Sequence, residues 1–311
     1  MVGGDANTAH RLLGEVIPEV AAALDQAGVY FGHGTDNAMD EACWLTAAAL
    51  GEDPLQAPIA DRRVSPEEYL DVQRWLDRRV KDRVPLAYMT GTAWFAGHRF
   101  YVDPHVLIPR SPIAELINEG LSLWPLTAGD RVLDLCTGSG CIGIAVALAL
   151  PDIEVTATDL SADALAVAHR NVALHRLGDR LELLEGDLFE PVAGRFALII
   201  SNPPYVSQAE YNELPAEYAH EPGIALHCGS AGLDLPLQIL HDAPDYLTEH
   251  GQLILETGNS ADALQDALGD LPLTWLVFEH GGSGILTATR QELVAWRQRI
   301  ASARQELSDV Q

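Results

Sequence analysis

Four short apolar runs in this sequence each stop in residues that can do chemistry: DLCTGSG at 134–140, Asp159 after EVTAT, GDLF at 186–189, and SNPPYVS at 201–207. The first groups Asp134 and Thr137 with Gly138, Ser139 and Gly140. Glycines let the backbone approach a ligand closely, and a following helix presents free N–H groups to its polar part. Gly138, Gly140 and Gly143 also satisfy GxGxxG, a pattern too widespread to choose a ligand alone. Asp159 lies 21 positions after Gly138, where a carboxylate accepts hydrogen bonds from both ribose hydroxyls of an adenosine-bearing cofactor. That placement suits NAD and S-adenosylmethionine equally well. Asp187 is placed to accept from an adenine amino group, with Leu188 against the ring.

Asn202-Pro203-Pro204-Tyr205 decides between the two cofactors. Methyl transfer to a planar nitrogen is difficult because the lone pair of an amide or exocyclic amine is delocalised. Two acceptors aimed at its N–H groups hold the nitrogen and favour the more positive, pyramidal transition state. The side-chain oxygen of Asn202 is one acceptor. The carbonyl of Pro203 is the other, fixed by prolines on both sides of its bond. Tyr205 offers a flat surface to a flat substrate group. These four residues form the expected catalytic corner, with Asn202, Pro203 and Tyr205 also touching the methyl acceptor.

Other chemistries find no support. Cys43, Cys136, Cys141 and Cys228 form no CxxC pair and do not cluster with histidines, so neither zinc nor a disulfide framework is expected. His98, His105, His220 and His227 are scattered, and no GxSxG elbow occurs. No metal is expected.

The positioning elements can be read by period. From Arg131 onward strands and helices alternate, which implies an α/β fold: a doubly wound, mostly parallel sheet with helices on both faces. RVLDLC, EVTATD, LELLEGD and FALIIS are its first four strands, followed by GQLILET and a closing pair, TWLVFEH and GILTATR. Helices are expected over 141–150, 162–176, 234–248 and 260–268, with another from Pro112 through Leu123. In such a sheet, ligands bind beyond the carboxyl ends of the strands, where the four sites above fall. The first ninety residues read as a helical domain. Leu12, Leu13, Val16, Val20 and Leu24 recur at helical spacing, a second helix spans 37–50, and Ser65, Pro66 and Glu68 form a capping box ahead of Tyr69, Val72, Trp75, Leu76 and Val80. Gly97-His98, between AWF and RFYV, reads as a hairpin turn. The expected division is 1–90 for substrate docking, 91–111 for the hairpin and linker, and 112–311 for catalysis.

A chain of 311 residues that is 48% hydrophobic is long enough for two cored domains. Its first twenty residues lack a signal-peptide pattern and its longest apolar run, IGIAVALAL, is too short to cross a bilayer, so a cytoplasmic protein is expected. A formal charge of −26 leaves no electrostatic footprint for nucleic acid and favours a basic protein partner.

With these residues in place the sequence resembles the class I S-adenosylmethionine-dependent methyltransferases, specifically the protein glutamine N5-methyltransferases. The resemblance extends from about Glu68 to Arg290 and rests on Pro85-Leu86-Ala87-Tyr88, VLIPR, DLCTGSG, ATDLSADALAVAHRN, GDLF, NPPY and His220-Glu221-Pro222. It implies a seven-stranded sheet ending in an antiparallel hairpin, a substrate-docking helical domain, a substrate contact at Arg110, and glutamine as methyl acceptor. Within the family, release-factor enzymes usually carry Pro-Glu-Thr-Glu after the arginine matching Arg110. Here Ser111-Pro112-Ile113 follows, which is similar to the branch acting on the third protein of the large ribosomal subunit. Ala231 stands where family members commonly have aspartate. Release-factor methylation, adenine N6-methylation and a non-catalytic ribosome-assembly role are the competing readings.

Overall fold

Helically spaced apolar residues and well-made caps build the first part of the chain in the computed structural model, which describes residues 10–56, 58–279 and 281–310. One compact unit runs to Gly91 and includes Pro215–His220. The other holds Thr92–Leu214 and the chain from Glu221 onward.

In the first unit a short strand β1 (Arg11–Leu12) leads into α1 (Leu13–Gln26), which buries Leu13, Val16, Val20 and Leu24. Leu12, expected on the helix, instead sits in β1 and is exposed. α2 (Ala38–Ala49) is capped by Asn37, whose Oδ1 accepts the Asp40 N–H at 2.9 Å. β2 (Arg63–Val64) pairs antiparallel with β1. Next, α3 (Pro66–Lys81) starts at the expected capping box: Ser65 Oγ accepts the Glu68 N–H at 3.2 Å and Glu68 Oε2 accepts the Ser65 N–H at 2.7 Å. A short α4 (Leu86–Thr90) stops at Gly91, whose φ of 65° is left-handed. Arg79 on α3 is fully buried. Its Nε donates to Glu41 at 2.5 Å, Nη1 to Glu217 at 3.1 Å and Nη2 to the Tyr30 carbonyl at 2.8 Å. Glu217 lies on a short 3-10 helix, Ala216–His220, and this ion network ties that late stretch of chain to the early unit.

The second unit opens with a hairpin, β3 (Thr92–Phe95) and β4 (His98–Tyr101), whose turn is Ala96 at φ 47° and Gly97 at φ 79°, one residue earlier than the expected Gly97-His98, since His98 pairs with Phe95 as the first residue of β4. Two left-handed central residues match the twist of the flanking strands. α5 (Ile113–Asn118) is shorter than the expected 112–123, because the chain turns left-handed at Gly120 and Leu121, φ 68° and 51°. Then follow β5 (Arg131–Leu135), α6 (Cys141–Ala149), β6 (Glu154–Asp159), α7 (Ala162–Leu174), β7 (Leu181–Glu185), β8 (Phe196–Ser201) and a single helical turn α8 (Gln208–Tyr211). The unit closes with α9 (Asp234–Tyr246), β9 (Leu247–Glu256), α10 (Ala261–Leu268), β10 (Thr274–Trp275), β11 (Ile285–Thr289) and α11 (Arg290–Val310).

The sheet order is β10-β11-β9-β8-β5-β6-β7; β11 pairs antiparallel with both neighbours and the remaining pairings are parallel. Both faces are covered. α5 and α6 pack with Val132, Leu198, Ile200 and Ile254 on one side, and α9 and α11 pack with Leu133, Ile199, Leu253 and Leu255 on the other. The strand expected from TWLVFEH ends at Trp275, and Val277 stands 95% exposed on the way to the left-handed Gly281, Gly282 and Gly284.

Candidate active site

β5 and β8 are neighbours, so the glycine loop and the Asn-Pro-Pro-Tyr corner leave the same sheet edge side by side. Leu135 and Ser201 are register partners, and the Ser201 hydroxyl donates to the Leu135 carbonyl at 3.0 Å. A cavity lies beyond these strand ends. Thr137, Gly138, Ser139, Asp159, Asp187, Leu188, Asn202, Pro204 and Arg110 all line it. Asp134, Gly140, Pro203 and Tyr205 are not among its lining residues.

Asp134 acts on the loop from beneath. It is 1% exposed, and its Oδ2 accepts the Thr137 hydroxyl at 2.5 Å and the Gly143 N–H at 2.9 Å. Burial pushes its carboxyl up to about 7, against the pull of those two donors. A Cβ at Gly143 would crowd this carboxylate, standing 3.0 Å from Asp134 Oδ2. Gly138 and Gly140 take φ 56° and 81°, and the space where a Gly138 side chain would project is open. Asn171 on α7 pins the same loop: its Nδ2 donates to the carbonyls of Ser139 at 2.8 Å and Tyr101 at 3.0 Å.

Asp159 accepts backbone donors on both oxygens, the Gly138 N–H on Oδ2 at 2.8 Å and the Ser161 N–H on Oδ1 at 2.9 Å, and still borders the cavity. Burial holds its carboxyl above the usual range. Asp187 is exposed at the rim, with Leu188 buried beside it. The loop's N–H groups decide what such a site accepts. Gly138 donates to Asp159, Gly140 to the Thr137 carbonyl at 2.9 Å, and Gly143 to Asp134. Those three N–H groups are engaged within the chain, and two carboxylates, Asp159 and Asp187, line the cavity. Arg110 is paired bidentately with the buried Glu221, at 2.6 and 2.7 Å. Two carboxylates on the cavity wall suit a cationic, hydroxyl-bearing adenosine compound better than a dinucleotide's pyrophosphate.

In the corner itself, Asn202 and Pro204 face the cavity while Pro203 is buried. Tyr205 turns its hydroxyl to Glu256 Oε1 at 3.0 Å, and its carbonyl accepts the Ser260 hydroxyl at 2.6 Å. Burial raises the Glu256 carboxyl, with the Ser111 and Tyr205 hydroxyls pulling it down. Cys136 and Cys141 border the cavity, yet burial pushes the first thiol well up and the second to about 12, so both stay protonated and unreactive. Sequence reasoning missed Ser111, Asn171 and Glu256. For Glu256 a signal existed, an acid closing an apolar strand, which is the same signal that exposed Asp159.

The sheet and this strand-end site define a methyltransferase. Residues 120–218 match the family model "Methyltransferase small domain", and residues 16–91 match "PrmC N-terminal domain". The ribosomal protein uL3 glutamine methyltransferase of Bordetella pertussis is 48% identical over 90% of this chain and 96% of its own length. That of Francisella tularensis is 45% identical over 86% of this chain and 87% of its own. A methyltransferase structure from Pyrococcus furiosus aligns with TM-score 0.45 and 21% identity, over 61% of this chain and 88% of that one. The chain belongs to the family of the ribosomal protein uL3 glutamine methyltransferases.

Proposed function

We propose that this protein transfers a methyl group from S-adenosylmethionine to the side-chain amide nitrogen of a glutamine in ribosomal protein uL3. The observation that carries the reading is the near-complete alignment to two uL3 glutamine methyltransferases, with Asn202 and Pro204 facing the same cavity as Asp159. A ribosomal protein as substrate favours the cytoplasm as the place of reaction. The chain's charge of −26 suits a basic protein surface and disfavours nucleic acid as the ligand. Among the described residues no helix is long and apolar enough to cross a membrane.

When bound, S-adenosylmethionine supplies a sulfonium-activated methyl group. Asp159 would hold its ribose hydroxyls, Asp187 its adenine amino group with Leu188 against the ring, and the open face of Gly138 would admit it closely. Asn202 Oδ1 and the Pro203 carbonyl accept the two N–H hydrogens of the glutamine amide. They orient the nitrogen and favour the charge that builds on it as it becomes tetrahedral. Tyr205 packs on the amide's flat face, and Arg110, neutralised by Glu221, shapes the wall beside it. No general base is needed, because the methylated nitrogen is strongly acidic and loses its proton to water.

The test is methyl transfer from labelled S-adenosylmethionine to purified uL3 and, separately, to a release factor, with mass spectrometry of the labelled peptide. Label on a uL3 glutamine is expected. Label on the release factor alone, or on neither, overturns the reading.

A further inference from the structure

We infer that Glu256 is a positioning residue for the amide clamp, fixing the Asn202–Tyr205 corner and the Arg110–Ser111 segment to one another through the end of β9. The inference rests on the methyltransferase reading above, since both segments border the same cavity.

Glu256 is 4% exposed and has both oxygens engaged. Oε1 accepts the Tyr205 hydroxyl at 3.0 Å, and Oε2 accepts the Ser111 hydroxyl at 2.5 Å. Ser111 Oγ also accepts the Ile113 N–H at 3.1 Å, so the serine's one proton is directed to Glu256 and the polarity of the chain is set. A carboxylate is the group that suits two converging hydroxyl donors. An amide in its place offers one oxygen and turns its NH₂ toward the other donor.

Two glycines also stand close to this tyrosine. A Cβ on Gly258 would stand 2.4 Å from the Tyr205 ring, and one on Gly232 would stand 2.1 Å from the Tyr205 carbonyl oxygen. These contacts restrict where the ring can lie, and the bond to Glu256 selects its direction. Ser111 and Arg110 border the cavity on one chain segment, and Asn202 and Pro204 on another. One buried carboxylate at the end of a sheet strand is thus their common support. Precise placement of an acceptor amide against a methyl donor needs such support, because catalysis by orientation is lost with small displacements.

The experiment compares Glu256→Gln, Ser111→Ala and Tyr205→Phe by backbone hydrogen exchange on the full chain without ligand, then by methyl-transfer kinetics. Glu256→Gln is expected to raise exchange at 106–113 and at 205–206 while β5 and β8 keep their protection. Ser111→Ala raises only the first segment and Tyr205→Phe only the second. Glu256→Gln also lowers kcat by about tenfold, with the KM for S-adenosylmethionine moving less. Unchanged exchange at both segments in Glu256→Gln overturns the proposal. So does a rise spread over the whole sheet with no local rise in the two hydroxyl variants, which would mark the residue as merely structural. Failure of the unsubstituted chain to methylate uL3 counts against the proposed substrate alone, because exchange is read without it.

Discussion

Asn202 is the one amide side chain at the corner that faces the cavity, and in the proposed mechanism it is the residue that meets the acceptor amide. Asn202→Ala is expected to lower kcat about a hundredfold, the usual effect of deleting one preorganised hydrogen-bonding group at a charge-developing centre. Calorimetric affinity for S-adenosylmethionine should change much less, and near-normal turnover would sink the clamp. Asp134 makes a different prediction. Its folded-state pKa of about 7 lies above its ordinary value of 3.8. Between those two values the folded chain keeps a proton that the unfolded chain releases. This group's stabilisation is therefore full below the lower value and is lost as pH rises through the upper one. Asp134→Asn should gain Tm relative to the parent as pH goes from about 5 to about 8. Calorimetric scans giving one constant offset across that range would refute it. At this scale the sequence was legible where a carboxylate or amide ends an apolar run, as at Asp159 and Asn202. It was not legible for the Ser111–Glu256 bond, whose partners are 145 positions apart and announce each other by no local pattern.

Elements were legible where local geometry carries its own signal. The hairpin at Ala96-Gly97 has a turn that only a left-handed pair can make, and the capping box at Ser65 is complete within four residues. Ser65→Ala removes the acceptor of the Glu68 N–H and should lower stability by about 1 kcal/mol, read from the denaturant midpoint. A midpoint equal to the parent's would mean that the box contributes nothing. The C-terminal helix α11 went unread although its signals were present. Leu293, Trp296, Ile300 and Ala303 are buried at helical spacing, and Thr289 caps Glu292 at 3.2 Å. β10 is shorter than the strand TWLVFEH suggests, because the apolar Trp275–Phe278 stretch hides where pairing stops: β11 holds only Thr274 and Trp275 in the strand.

Across the whole molecule, the order of residues along the chain does not reveal which ones share a unit. Glu217 joins the helices of the first unit because Arg79, 138 positions earlier, brings a buried charge that Glu41 and Glu217 compensate together. Burying a guanidinium without such partners is strongly unfavourable, so the segment that supplies the second carboxylate is held in place by electrostatics rather than by any helical or strand period. Net charge, by contrast, is plain from the sequence, and it makes the one prediction that needs every residue at once. At −26 the protein surrounds itself with a field that attracts a basic partner over about a Debye length, roughly 10 Å at 0.1 M salt. Attraction at that range acts on the rate of encounter more than on the contacts made after docking. Raising ionic strength should therefore lower kcat/KM for uL3 while leaving kcat at saturating substrate, and the affinity for S-adenosylmethionine, nearly unchanged. Methyl transfer measured under subsaturating and saturating uL3 across a salt series separates the two. A kcat/KM that stays flat with salt would mean that the acidity serves solubility and that docking is carried by short-range contacts alone.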